Sequence, residues 1–225
     1  MQDLNTFDAI GFCVLADVVP QPVCDRLCST LSAAVPNSAG SRTLLAHPVC
    51  RELVATIRNH SGIQPLLPLS AVAVQCTLFD KTPEKNWLVS LHQDLSIPVR
   101  VRVESDQVGA WSQKEGQWFV QPPEDVLNRL VAVRVHLDAS TAKNGPLRVV
   151  PGSHRFGRLT APEADTHRKA LGEITVESPR GGALVMRPLL LHASSKATSP
   201  MHRRVLHFLF GPADLPRGLE WAETA

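Results

Sequence analysis

Beyond residue 70 the sequence breaks into short runs of Val, Leu and aromatic residues divided by turn formers, and this limits the chain to a sandwich or barrel of strands. The runs are SAVAVQCTLF (70–79), WLVSLHQDL (87–95), LVAVRVHLD (130–138), PLRVVPGS (146–153), GALVMRPLLLHAS (182–194) and RRVLHFLFG (203–211). Turn signals such as KNGP at 143–146 and SPRGG at 178–182 separate them. The N-terminal part has the other period. Residues 21–35 place Val23, Leu27 and Leu31 at helical spacing behind Pro22, and residues 47–59 repeat this with Val49, Leu53, Val54 and Ile57 before Gly62. Helices followed by many short strands argue for a β-sandwich or barrel with helices on one face. The expected organisation is one domain over 1–225, with a helical support layer at 1–65 and a strand core at 70–212. Residues 100–125, with Gly109, Trp111, Gly116, Trp118 and the Pro122–Pro123 pair, read as a long insertion, expected to be a lid that chooses the substrate.

Composition narrows the partners. Of 225 residues 44% are hydrophobic, enough for a sizeable core, and the net charge of +2 gives no electrostatic reason to expect nucleic acid or an anionic membrane. No apolar run approaches a membrane span, and MQDLNTFDAIGF lacks a basic region followed by an apolar stretch, so a cytoplasmic protein is expected. The five cysteines are an odd number, and Cys24 and Cys28 have helical rather than metal-knuckle spacing. Reduced, buried thiols are expected.

Three segments carry chemistry together. In LHQDL (91–95) strand alternation would put His92 and Asp94 on one face, able to grip one metal ion. His192 closes an apolar run in LLLHASS (189–195) and is a candidate third ligand. In MHRRVLHFLF (201–210) two arginines open an apolar strand, and a buried guanidinium requires an anionic partner. Arg203 stands eleven positions beyond His192, enough for one turn back into an adjacent antiparallel strand. Two histidines and one carboxylate leave three open metal positions, which suits Fe(II) oxygenase chemistry. A dicarboxylate cosubstrate would fill two of them and meet Arg203 with its far end, and O₂ would take the last.

The segments LHQD (91–94) and NGPLRVVPGSH (144–154), with the His192-to-Arg203 spacing, resemble the phytanoyl-CoA dioxygenase family of Fe(II)/2-oxoglutarate oxygenases. The similarity runs from FDAIGFCVL to the last strand. The resemblance implies a double-stranded β-helix (jelly roll), with His92, Asp94 and His192 on iron. It also implies that Arg203, aided by Ser194, holds the distal carboxylate of 2-oxoglutarate, and that a small organic substrate is hydroxylated with release of succinate and CO₂. Gln75 and Thr77 have inward parity and are expected at the cosubstrate. Arg134 stands where the family often has an aromatic residue near the cosubstrate, a departure that leaves it to bind the cosubstrate or an acidic substrate. Arg42 is a further candidate basic anchor. Gln93, on the other strand face, is expected to act indirectly, and Trp111 and Trp118, with Trp87 and Phe119, are candidate pocket walls. Arg204 replaces Arg203 if the parity is off by one. His154 reads as a structural hydrogen-bonding residue, and His202 and His207 as surface or core residues. A carboxylate at Asp94 favours hydroxylation over halogenation. A non-catalytic or redox-inert metal-binding jelly roll is the rival, and the oligomeric state is left at monomer or homodimer.

Overall fold

A computed structural model describes residues 4–35, 40–105, 108–198 and 200–225. In chain order the strands are β1 (Phe12–Leu15), β2 (Gly40–Ser41), β3 (Val72–Lys81), β4 (Val89–His92), β5 (Ile97–Val99), β6 (Gly109–Lys114) and β7 (Gln117–Gln121). They continue as β8 (Val131–His136), β9 (Leu147–Val149), β10 (Ile174–Val176), β11 (Ala183–Met186), β12 (His192–Ser194) and β13 (Arg203–Gly211). The helices are α1 (Leu4–Ile10), α2 (Gln21–Ala34), α3 (Pro48–Asn59), α4 (Glu124–Leu127) and α5 (Ala161–Leu171).

Among the described residues the strands form one large sheet, β1-β11-β8-β13-β3-β2, a smaller one, β10-β9-β12-β4, and a three-stranded sheet, β5-β7-β6. All strand pairs within them are antiparallel. The architecture is the expected double-stranded β-helix. None of the described helices is long and apolar enough to cross a membrane.

Alternation along the large sheet divides the molecule. Val131, Val133 and Val135 of β8 and Leu206, Phe208 and Phe210 of β13 pack under α2 and α3, against Cys24, Leu27, Leu31, Leu53 and Ile57. The opposite face of the same strands turns inward between the sheets. It carries Gln75, Thr77, Phe79 and Lys81 on β3, Arg134 and His136 on β8, and Arg203 and His207 on β13, since side chains two apart share a face. One face is therefore a dry seam to the helices, and the other a polar floor. The five cysteines are free and buried, as read from their surroundings.

Two expectations change. The N-terminal part is not helical alone, because β1 and β2 close the two edges of the large sheet, with Phe12 opposite Met186 and Ser41 opposite Leu78. Residues 100–125 are not a structureless insertion: 11 of the 26 form β6 and β7, with Val99 of β5 opposite Trp118. Glu115 and Gly116 make their turn at φ 50° and 78°. The polar residues interleaved through GAWSQK and QWFVQ hid this period-two pattern. Asp106 and Gln107 of that segment lie outside the described residues.

Candidate metal and cosubstrate site

His192 and His92 are direct partners across the β12–β4 pair, which brings their rings to 4.2 Å between centroids. Each donates its Nδ1–H to a backbone carbonyl two residues earlier, His92 to Ser90 at 2.8 Å and His192 to Leu190 at 2.9 Å. Both Nε2 lone pairs are thereby left free and aimed. Asp94 lies just past the end of β4, its backbone N–H on the Pro188 carbonyl at 2.9 Å. Its carboxylate oxygens come within 3.6 Å of His92 Nε2 and 3.8 Å of His192 Nε2. One donor atom from each of the three lies within 4.8 Å of the others. This donor set, two imidazoles and a carboxylate on one side of an open pocket, fits a divalent ion with free positions.

Electrostatics agree for Asp94 and His192. Burial works to raise the Asp94 carboxyl, but His192, His92 and His207 outweigh it and hold it well below the usual carboxylate range. Burial drives the His192 imidazole down to about 4 against the pull of Asp94, so it is neutral near pH 7 and free to ligate. For His92 burial is overcome by the contact with Asp94 and the Ser90 carbonyl, and the net direction is upward.

Gln93 explains how Asp94 is placed. Its amide donates to the carbonyls of Gly157 at 2.8 Å and Leu189 at 2.7 Å and accepts the Leu159 N–H at 2.9 Å. It borders the pocket but is bound on both sides of its amide, a clamp between the ligand loop and two other segments. The NGPLRVVPGSH segment braces His192 in the same way. Ser153 Oγ accepts the Leu191 N–H at 2.8 Å, and Val150 N–H reaches the Leu191 carbonyl at 3.0 Å. Gly145 has φ 71°, and a Cβ there would meet the Ser195 carbonyl at 2.5 Å, so only glycine lets this turn approach the end of β12. His154 ties the motif to α1 through the Asp8 carbonyl at 3.0 Å, a structural part as read.

The triad opens on a cavity of about 430 Å³. Arg203, only 3% exposed, borders it with Nε and Nη1 unpartnered. Burial lowers its guanidinium to about 10, so it stays charged. Arg204 faces the other way and is committed, with Nε and Nη2 on the two oxygens of Asp138 at 2.8 Å each. Of the two, it is Arg203 that borders the cavity. Lys81, opposite Arg203 on β3, is fully buried and donates to the Ser195 carbonyl at 2.7 Å and Ser194 Oγ at 3.3 Å. Burial, with Arg203 and Arg134 nearby, lowers its ammonium to about 8.

Ser194, Gln75, Thr77, Arg134, Arg42 and Trp87 also border the cavity, so the structure brings these sequence candidates together. Gln75 donates to Thr77 Oγ1 at 2.9 Å. Arg42 pairs with Glu115 at 3.2 Å, joining the segment after β2 to the β6–β7 turn. Trp111 and Trp118 stand elsewhere. They meet edge to face, 6.3 Å apart, and pack against a second apolar cluster that includes Val99, Val108 and Val120, while Lys114 and Phe119 of the same hairpin reach the cavity. Trp118 alternates with Phe119, and the lining face carries the odd-numbered residues of β7 and their even-numbered partners on β6. His207, read as surface or core, also borders the pocket. It shares its parity with Arg203, four positions back, a signal the sequence contained.

A family model described as phytanoyl-CoA dioxygenase matches residues 7–205. The chain belongs to the phytanoyl-CoA dioxygenase family. Membership, with the two histidines and the aspartate in place, makes it an iron- and 2-oxoglutarate-dependent oxygenase. No curated protein sequence is significantly similar to it. Among solved structures the fold is similar to apo EctD from S. alaskensis, at TM-score 0.67 and 17% identity over 93% of this chain and 76% of that one. It is also similar to the carbocyclase SnoK from nogalamycin biosynthesis, at 0.68 and 14% over 94% and 83%. Iron-bound HygX from Streptomyces hygroscopicus gives 0.64 and 20% over 93% and 85%. At these identities the likeness is one of fold.

Proposed function

We propose that the chain hydroxylates a small organic substrate, with His92, Asp94 and His192 holding Fe(II) and Arg203 and Ser194 holding the distal carboxylate of 2-oxoglutarate. The observation that carries this is the adjacency, in one cavity, of the three donors to a buried guanidinium without a partner. A redox-inert metal protein has no use for such a group, and a buried cation of this kind is costly without an anion.

Bound there, iron with 2-oxoglutarate and O₂ supplies the oxidation, placing one oxygen atom in a substrate C–H bond and the other in succinate as CO₂ leaves. The protein's part is placement. The carbonyls of Ser90 and Leu190 fix the two tautomers, Gln93 fixes the Asp94 loop, and the β-sandwich excludes water from the floor around Arg203. Lys81 adds positive charge beside Ser194 and steadies the end of β12. Gln75 and Thr77 border the cosubstrate wall, and Asp94 occupies the metal position that a halide would need, which favours hydroxylation.

The test is stoichiometry. With Fe(II) and O₂, wild-type protein should convert 2-oxoglutarate to equal amounts of succinate and CO₂, and the Asp94→Ala variant should not. Succinate formation that persists in Asp94→Ala would refute the assignment of ligands.

A further inference from the structure

Arg203 is not the only buried cation facing the cavity. Arg134, 5% exposed, also borders it, opposite His207 across the β8–β13 pair. Its guanidinium lies over the Phe79 ring, 5.2 Å from the centroid, and Nη1 donates to His207 Nδ1 at 2.8 Å. Arginine has only donors, so His207 must keep Nδ1 bare and carry its proton on Nε2. That interaction fixes the guanidinium plane without neutralising it. Nε is buried and unpartnered, and among the described residues Arg134 makes no ion pair.

Charge then decides what is missing. Arg134, Arg203 and Lys114 border the cavity, Arg42 borders it paired with Glu115, Lys81 is buried against Ser194, and Asp94 is the carboxylate among the described residues that borders it. A divalent metal and a dianionic cosubstrate cancel each other, so the cations at the cavity outnumber its one carboxylate and positive charge remains. Arg203 and Arg134 are also four strand positions apart, on the order of 13 Å along β13 between Arg203 and the partner of Arg134. With the far end of the cosubstrate at Arg203, Arg134 is left for something else.

We propose that Arg134, held by Phe79 and His207, binds a carboxylate of the substrate, and that the substrate is a small organic acid. The proposal rests on the iron and 2-oxoglutarate reading of the site and adds the substrate's chemical class to it. A cavity of about 430 Å³ lies in the lower half of the range for small-molecule sites, which sets the acid's size. The carboxylate at Arg134 would present a neighbouring C–H bond to the open side of the triad.

The experiment uses full-length protein loaded anaerobically with Fe(II) and 2-oxoglutarate, whose visible charge-transfer band reports on the metal. Butyrate and benzoate are titrated in, with butyramide and benzamide as uncharged counterparts. The acids should perturb the band and raise the melting temperature, and the amides should not. Arg134→Gln should raise the half-saturating concentration of the acids by roughly ten- to a hundredfold, with Arg134→Lys in between. The same substitution should move the half-saturating 2-oxoglutarate concentration far less than Arg203→Gln does. Acids binding no better than amides would overturn the proposal. A loss of 2-oxoglutarate affinity in Arg134→Gln as large as in Arg203→Gln would overturn it too, and assign Arg134 to the cosubstrate. Absence of the band in wild-type protein would instead overturn the iron and 2-oxoglutarate reading, and this inference with it.

Discussion

Arg203 and Arg204 are adjacent on one strand and face opposite ways, so replacing each by glutamine should give effects of opposite kind. Arg203 is 3% exposed, with Nε and Nη1 unpartnered. Its loss removes an uncompensated buried charge, so the ligand-free protein should keep its stability or gain some. Binding of 2-oxoglutarate should suffer by about 2–4 kcal/mol for the lost charge-assisted contacts, roughly one and a half to three decades in affinity. Arg204 donates twice to Asp138 at 2.8 Å, and its own N–H meets the same carboxylate at 2.9 Å. The two side chains are 23% and 20% exposed, between surface and interior. Breaking the pair should cost about 1–3 kcal/mol of stability, between the values for exposed and buried pairs, and little cosubstrate affinity. Thermal melting of ligand-free protein and a 2-oxoglutarate titration of each variant separate the two. A larger loss of 2-oxoglutarate affinity in Arg204→Gln than in Arg203→Gln would refute the reasoning.

Alanine at His92, Asp94 or His192 should abolish iron-dependent 2-oxoglutarate turnover while circular dichroism stays near wild type; full turnover in any one removes that residue from the triad. Gln93→Ala should cost about 1–3 kcal/mol of stability and weaken metal binding, because the Asp94 loop loses its clamp to Gly157, Leu159 and Leu189; an unchanged metal affinity would argue against the clamp. His136 has both ring nitrogens buried and unpartnered, and burial holds it down to about 3 from 6.5. Within that window the unfolded chain binds a proton that the folded one does not, so stability falls as pH drops, by up to about 1.4 kcal/mol per unit. His136→Leu should flatten the acid limb of a denaturation-versus-pH series by one proton, and an unchanged slope would contradict the assignment.

Much of this site was legible because strand parity carries over long distances. The eleven-residue spacing from His192 pointed to Arg203, and counting by twos put Gln75 and Thr77 on the wall. The same count, carried further, reaches Lys81, which sequence reading passed over, and His207, which it read as surface or core. Lys81 precedes TPEKN and looks like a turn lysine, and a lone histidine in an apolar strand looks like core. What was not legible depends on pairing. The reading of His92 and Asp94 as strand neighbours reached the right cluster by the wrong route, since β4 stops at His92 and Asp94 is turned in by Pro188 and the Gln93 clamp. The choice of Phe119 over Trp118 as the lining residue follows from how β7 sits between β5 and β6, and no local pattern in residues 100–125 specifies that register.

The most direct test of the central claim is an anaerobic titration of the Fe(II)-loaded protein with 2-oxoglutarate, followed by visible absorption. The arrangement of His92, Asp94, His192 and Arg203 predicts a metal-to-ligand charge-transfer band that saturates at one 2-oxoglutarate per chain and is lost in His192→Ala. Iron bound at one per chain with no such band at saturating 2-oxoglutarate would contradict it.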